Sequence, residues 1–307
     1  MSGSLPRSID EYLAALRAAL AGEDPALVQD ALYDAEEYLR AEVASSRETL
    51  EADVLERIAS TYGRPEEIAA AYRDTEVRVA RAFQPPISLR SAQRGPLKRF
   101  FSVYLDPRAY TSLFFMFLSL ATGIVYFTFA VTGLSLSIGL AILIIGLPVF
   151  LGFIGMARVI SLAEGLLLEA VSGERMPRRP VLSAPHGGLW ERILAMLQDT
   201  RTWTTLAYLI LMLPLGIVYF TAAMLGITLA LTFLLVPVVG IAQRLDWWLP
   251  WSPERIVLSP AWLDTPGGWV FCIVLGPVAL TTLLHVARGL VALHARVAKA
   301  LLVPSRF

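Results

Sequence analysis

The side chains best suited to catalysis or metal binding in this chain are three histidines and one cysteine. His186, His285 and His294 are far apart, and none stands in a metal-binding spacing such as His-Glu-x-x-His. Cys272, the only cysteine, lies inside an apolar run, so the sequence offers neither an intrachain disulfide nor a thiolate metal site. We therefore predict a protein that is not an enzyme, with no catalytic residues, no metal site and no cofactor.

Carboxylates are the other groups that could do chemistry, and they are concentrated near the N-terminus. Residues 1–83 carry 17 acidic and 9 basic side chains, a net charge of −8, which leaves +8 for residues 84–307. A strongly acidic region disfavours nucleic acid as a partner, because phosphate neutralisation needs clustered cations. The carboxylates form either a solvated helix face or a docking face for a partner protein. The candidate docking residues are Asp34, Glu36, Glu37, Glu66 and Glu67.

The elements that carry these carboxylates are predicted to be four short helices within residues 8–83. Ser8 and Glu11 have the spacing of a capping box, and Asp24-Pro25 places an N-cap before a proline at the first helical position. A third helix is expected from about Thr49 to Tyr62, and a fourth begins at Pro65. The apolar residues of each segment recur at helical spacing, which indicates a small bundle.

The acidic second helix and the run Tyr62-Gly-Arg-Pro-Glu-Glu-Ile-Ala69 resemble the HAAS domain. The resemblance covers roughly residues 8–75. It implies a small helical cytoplasmic module fused to bacterial membrane segments, often encoded beside PadR-type regulators. A cytoplasmic regulatory protein or a membrane partner is therefore the expected binding partner.

The rest of the chain contains long uncharged, apolar segments that are typical of membrane-spanning helices. Residues 109–157 and 202–243 contain no Asp, Glu, Lys or Arg, and residues 267–287 form a third uncharged run. About 20 apolar residues suffice to cross a membrane. We predict a multi-pass protein of the bacterial inner membrane in contact with lipids. We expect its spans to lack the buried charged residues that mark ion-coupled transport.

Two segments of this membrane region match without a gap. Residues 106–139 and 199–232 share Asp, Arg, Gly and Tyr at the same offsets, and both contain the run Gly-Ile-Val-Tyr-Phe-Thr that starts at Gly123 and at Gly216. Two unrelated lipid-facing helices would share leucine and valine by composition, but not these residues. The sequence therefore predicts an internal tandem repeat.

The positions of the basic residues predict the membrane topology. Basic residues flank the first span, crowd residues 175–192 and follow the last span, so the positive-inside rule places all three regions and both termini in the cytoplasm. We expect a hairpin that turns at Gly133. Residues 227–242 are short and contain Pro237, so we predict a re-entrant half-helix there and four full crossings in total. Five crossings with an external C-terminus is the alternative.

Small residues, prolines and tryptophans mark the candidate functional positions of the membrane region. Pairs of small residues four apart permit close packing, either within one chain or in a homo-oligomer. The candidate packing and hinge residues are Gly123, Pro148, Gly216, Pro237 and Pro277. Five tryptophans lie between Asp246 and Trp269, in a predicted outer loop that is either an interfacial anchor or a ligand platform. Its candidate lipid contacts are Trp247, Trp248 and Trp251.

The doubled Tyr-Phe motif, the Asp199-Thr-Arg-Thr-Trp203 segment and the proline-kinked hairpins resemble the sensor domain of bacterial, mainly actinobacterial, membrane proteins. The resemblance covers about residues 100–303. In that family the domain often precedes a histidine kinase, whereas this sequence carries a HAAS-like region and ends at Phe307.

We therefore predict an all-α protein, with a small cytoplasmic helical bundle and a polytopic transmembrane domain built from a tandem repeat. The predicted parts are an acidic head (1–83), a basic linker with an interfacial helix (84–105), repeat 1 (106–172), a second linker and interfacial helix (173–198) and repeat 2 (199–303) with an outer loop (244–269). The function that we expect is a membrane sensor coupled to a partner-binding head. The alternative is a membrane subunit or scaffold that handles a lipid or amphiphile, possibly with an exporter.

Overall fold

A computed structural model of the chain describes residues 6–46, 57, 61–83, 95–140, 146–179, 194, 196–245 and 261–303, and these residues are mostly helical with no strand among them. In the N-terminal head, α1 spans Ile9–Ala19, α2 spans Pro25–Ser45 and α3 spans Pro65–Phe83. The predicted third helix, at about Thr49–Tyr62, falls largely outside the described residues.

The head helices begin where their caps predict. The Ser8 side chain accepts the backbone N–H of Glu11 at 3.2 Å, and Glu11 accepts the N–H of Arg7 at 2.7 Å. Asp24 caps α2 by accepting the N–H of Ala26 at 2.9 Å. The apolar stripes of the three helices form one core. Its fully buried members include Tyr12, Leu16, Leu20, Ala31, Ala35, Leu39 and Ala69.

Four long helices follow a short one. The short helix α4 spans Pro96–Phe101 and continues as a 3₁₀ turn over Ser102–Leu105. The long helices are α5 (Pro107–Gly139), α6 (Gly146–Ser172), α7 (Thr200–Arg244) and α8 (Pro266–Leu302), with a 3₁₀ turn at Ala261–Asp264 before α8. All four are long and apolar enough to cross a membrane, which confirms the all-α membrane fold.

The structure corrects two predicted boundaries within these helices. Gly133 is not a turn but an interior residue of α5, where a Cβ would lie 2.1 Å from the Phe153 ring of α6. Its lack of a side chain allows two helices to approach closely. Residues 227–242 are not a separate half-helix, because α7 runs unbroken for 45 residues through Pro214 and Pro237. Membrane helices tolerate such prolines since neighbouring groups satisfy the freed carbonyls.

The chain divides into two compact units that do not follow its linear order. The first consists of the described parts of Met1–Leu89, Thr132–Tyr208 and Ala295–Phe307, and the second of Arg90–Val131 and Leu209–His294. The first unit therefore contains the head together with the end of α5, α6, the start of α7 and the end of α8. The second contains α4, most of α5, the remainder of α7 and most of α8.

Candidate functional site: the docking cluster

The centre of the site is Asp30, a carboxylate on the buried face of α2 that is only 5% exposed. One of its oxygens accepts the backbone N–H groups of Arg178 and Arg179, at 2.9 and 3.0 Å. Its second oxygen accepts a hydrogen bond from the Arg175 guanidinium at 3.1 Å. Asp30 thus holds the segment that follows α6 by two backbone bonds and one charge pair.

That segment is held in position by α6 itself. Gly173 adopts a left-handed φ of +74°, which ends α6 and lets the chain turn back. Glu169 on the last turns of α6 accepts the N–H of Met176 at 3.3 Å and the Arg178 guanidinium at 2.5 Å. The acceptor Asp30 and the end of a membrane helix are therefore joined through a single short stretch of chain.

Further polar contacts surround Asp30, and we call the whole set the docking cluster. Asp34 pairs with Arg179 at 3.0 Å, and Asp24 pairs with Lys299 of α8 at 2.6 Å. Arg175 also pairs with Glu76 of α3. The members of the docking cluster are Asp24, Gln29, Asp30, Asp34 and Glu76 from the head, with Arg175, Arg178, Arg179, Arg201 and Lys299 from the membrane region.

Gln29 connects the head to the start of α7. Its amide nitrogen donates to the Arg179 carbonyl at 2.7 Å, and its amide oxygen accepts from the Arg201 guanidinium at 3.1 Å. Arg201 donates to the Leu302 carbonyl at 3.1 Å as well. The head, the segment after α6, the start of α7 and the end of α8 are thus linked by one hydrogen-bonded set.

Burial dominates the electrostatics of Asp30. Desolvation raises the pKa of its carboxyl above the ordinary value, and the bonds from Arg178, Arg179 and Arg175 oppose that rise without cancelling it. The pKa of Arg178 is raised, chiefly by its hydrogen bond to Glu169. The pair of Asp30 and Arg175 is largely withdrawn from water, so loss of either partner costs more than at a surface.

A cavity of about 60 Å³ lies within this first unit. It is bounded by α2, by α6, by the segment after α6, by the start of α7 and by the end of α8. Its polar lining includes two guanidinium groups and one carboxylate. The lining residues are Gln29, Arg158, Ser161, Leu162, Gly165, Met176, Pro177, Asp199, Arg201, Thr205 and Leu302.

The predicted partner-docking carboxylates are distributed over different surroundings. Asp34 is paired with Arg179 and also accepts the Tyr72 hydroxyl at 2.8 Å, so it belongs to the docking cluster. Glu36 pairs with Arg40 one turn away at 2.5 Å. Glu67 accepts the N–H of Arg64 at 3.0 Å. Glu37 and Glu66 are exposed.

The predicted hinge glycines lie where α5 and α7 cross in the second unit. A Cβ on Gly123 would lie 2.5 Å from the Met212 carbonyl oxygen, and one on Gly216 would lie 2.3 Å from that of Ser119. Backbone therefore meets backbone at this crossing. Pro148 lies in the first turn of α6, while Pro237 and Pro277 lie inside α7 and α8. Trp247, Trp248 and Trp251 lie outside the described residues.

Sequence reasoning missed three buried polar residues. It assigned no role to Asp30 or Gln29, which are buried although they lie outside the apolar stripe of α2 that includes Leu27, Val28 and Ala31. It also assigned no role to Glu164 of α6, which is fully buried and accepts the Tyr208 hydroxyl at 3.2 Å.

The fold and the site define a class: a membrane protein of four long apolar helices with a helical head in contact with the ends of three of them. The family described as "Putative sensor" matches residues 115–302, and the HAAS family matches residues 11–71. Comparison with curated proteins and with solved structures gave no match. The chain belongs to the Putative sensor family and carries a HAAS domain in front of the sensor domain.

Proposed function

We propose that this protein is a non-enzymatic regulator of the bacterial inner membrane, in which the packing of the membrane helices controls the state of the HAAS head. The docking cluster is the observation that carries this proposal. The head is joined to three membrane helices by groups that are specific in position and are partly withdrawn from water. A passive anchor would need no buried carboxylate.

The physical route runs through the segment after α6. A shift of α6 moves Glu169 and Gly173 and therefore the segment that follows them. The backbone N–H groups of Arg178 and Arg179, which donate hydrogen bonds to Asp30, move with that segment. Because hydrogen bonds weaken steeply with distance and angle, a small displacement of this segment is enough to release Asp30.

The proposed partner surface is the exposed acidic side of the head. Glu37 and Glu66 face solvent, and the rings of Tyr38 and Tyr62 stack with their centroids 4.3 Å apart. Carboxylates beside aromatic rings suit a partner with a basic, partly apolar surface. In this proposal a cytoplasmic regulatory protein binds that surface, and release of the head changes how accessible the surface is.

The membrane helices support the proposal of an internal duplication. Asp106 caps α5 by accepting the N–H of Arg108 and pairs with Arg288 at 2.9 Å. In the same way, Asp199 caps α7 by accepting the N–H of Arg201 and pairs with Arg158 at 3.3 Å. Each cap therefore pairs with an arginine of the other sequence repeat. The reciprocal contacts of Gly123 and Gly216 follow the same offset.

Two substitutions on α2 test the regulatory proposal in the full chain, reconstituted in lipid nanodiscs. Asp30→Lys places a cation against Arg175 and should undock the head, whereas Glu37→Lys makes the same charge change on an exposed position. We expect hydrogen exchange in residues 25–45 and 173–179 to rise by at least tenfold in Asp30→Lys and to stay at the wild-type level in Glu37→Lys.

The partner is read out separately, by photo-crosslinking in cells from a probe at Glu66. We expect Asp30→Lys to change the yield of the cross-linked product and Glu37→Lys to reduce it. Undocking without any change in cross-linking would refute the coupling between the head and its partner. Unchanged exchange in Asp30→Lys would refute the docking itself.

A further inference from the structure

The cavity of the first unit has the chemistry of an anion site. Two guanidinium groups, Arg158 and Arg201, face it together with a single carboxylate, Asp199, so the charged lining carries a net charge of +1. Both oxygens of Asp199 are already engaged, one by the N–H of Arg201 at 3.0 Å and the other by Arg158 at 3.3 Å. The carboxylate thus orients the two cations and leaves one positive charge uncompensated within the cavity.

Hydrogen-bond donors remain for a ligand. Among the residues that the structure describes, Arg158 and Arg201 make their hydrogen bonds through Nη2 only, which leaves the Nη1 and Nε hydrogens of both side chains. The Thr205 hydroxyl and the second amide hydrogen of Gln29 add neutral donors to the lining. Planar guanidinium groups are the side chains that best match the oxygens of a phosphate.

The volume of the cavity and the net charge of its lining indicate which class of ligand it can hold. A water needs roughly 10–15 Å³ of such volume, so about 60 Å³ accommodates a group with about four oxygens. A phosphodiester carries one negative charge, which equals the net charge of the lining. Apolar wall residues, among them Leu162, Met176 and Leu302, suit the carbon atoms on either side of such a phosphate.

The position along α7 also points to a lipid headgroup. Trp203, two residues after Arg201, is 49% exposed and donates its indole N–H to the Leu197 carbonyl at 2.8 Å. Indole rings favour the membrane–water interface, where lipid phosphates lie. Basic cavities between membrane helices at that level are recognised sites for anionic headgroups.

We propose that this cavity binds a phosphate group, supplied by an anionic phospholipid, and that the bound phosphate holds the head in its docked state. Gln29 from α2 and Arg201 from α7 meet at the cavity wall, so a phosphate there contacts the head and the membrane helices together. This inference supplies a ligand for the regulatory role proposed above and rests on it for its consequence, although the binding step itself is independent of that role.

Binding is tested with the full chain by native mass spectrometry after reconstitution with phosphatidylglycerol or with phosphatidylcholine. The matched variants are Arg158→Gln and Arg288→Gln. Both arginines pair with the cap aspartate of the other repeat, but only Arg158 lines the cavity. We expect phosphatidylglycerol to be retained by the wild type and by Arg288→Gln, and to bind about tenfold more weakly to Arg158→Gln.

A second variant guards against misfolding. Gly165→Leu keeps every charge and directs a side chain towards Met176 and the cavity, since a Cβ there would lie 3.4 Å from that residue. We expect it to lose phosphatidylglycerol as well. Equal lipid retention in Arg158→Gln, Gly165→Leu and Arg288→Gln would overturn the site.

The source of the phosphate and its consequence are measured separately. Inorganic phosphate and glycerol 3-phosphate are titrated against protein in phosphatidylcholine nanodiscs. We expect either anion to protect residues 25–45 only weakly from hydrogen exchange. Protection by the soluble anions as strong as that by phosphatidylglycerol would overturn the lipid assignment. Lipid bound at the cavity with no slowing of hydrogen exchange in residues 25–45 would leave the site standing and refute the regulatory role.

Discussion

At the scale of single residues, Asp30 joins the head to the segment that follows α6. Its carboxylate is 5% exposed, yet it satisfies two backbone N–H groups and one guanidinium of the membrane region. Removing such an acceptor leaves buried donors unpaired, which costs more than the bond contributes when it is intact. Asp34 and Asp24 are more exposed, so their ion pairs with Arg179 and Lys299 also stabilise the contact but contribute less.

The raised pKa of Asp30 predicts how docking depends on pH. The docked state binds the Asp30 proton more tightly than the undocked state does, so this group stabilises docking most at a pH below 3.8, its ordinary value. That contribution is lost as the pH rises through the raised value. We expect the thermal stability of the head in nanodiscs to fall as the pH rises from the ordinary pKa of the carboxyl through its raised pKa.

Asp30→Asn provides the comparison, because asparagine keeps the shape but does not titrate. We expect the thermal stability of the Asp30→Asn variant to change less between pH 4 and 8 than that of the wild type. An equally steep dependence in both proteins would assign the effect to another group, and our account of Asp30 would be wrong.

At the scale of the elements, the crossing of α5 and α7 relies on two glycines at equivalent positions. Each has the other helix's backbone within 3 Å of its would-be Cβ. The equivalence extends outward, since Ile124 and Ile217 are each 50% exposed and Val125 and Val218 are 60% and 58% exposed. One face of each helix packs inward and the other is exposed.

We expect Gly123→Leu and Gly216→Leu to destabilise the membrane domain to a similar extent, by about 1–3 kcal/mol or more, because each forces two backbones apart. Gly155→Leu is the control, since a Cβ at Gly155 meets nothing within 4 Å. The measurement is thermal unfolding in detergent. A large loss in only one of the two glycine variants would contradict the proposed equivalence of the two repeats.

At the scale of the whole molecule, the four helices make the topology testable. An even number of crossings places both termini on one side, and the basic residues favour the cytoplasm. Single cysteines at Ser183, Ser259 and Ser305, in a Cys272→Ala background, are probed on intact cells with an impermeant thiol reagent. We expect labelling at position 259 alone. Labelling at 305 would require an odd number of crossings.

The sequence by itself determined the parts of this protein that depend on neighbouring residues. Uncharged runs longer than a bilayer is thick predict membrane helices, and the caps at Ser8 and Asp24 predict where the head helices begin. These signals are local, because hydrophobicity and capping act within a few residues. For the same reason the motifs that carry both family resemblances could be read directly.

Only the tertiary structure decided which polar groups meet. Asp30 and its partner Arg175 are 145 residues apart, and no local pattern distinguishes Asp30 from the exposed carboxylates of α2. Gly133 illustrates the same limit, since a glycine in an apolar run fits either a turn or a close helix contact, and the Phe153 ring of α6 determines which. Long-range pairing depends on how the helices pack, and a linear pattern of residues does not contain that packing.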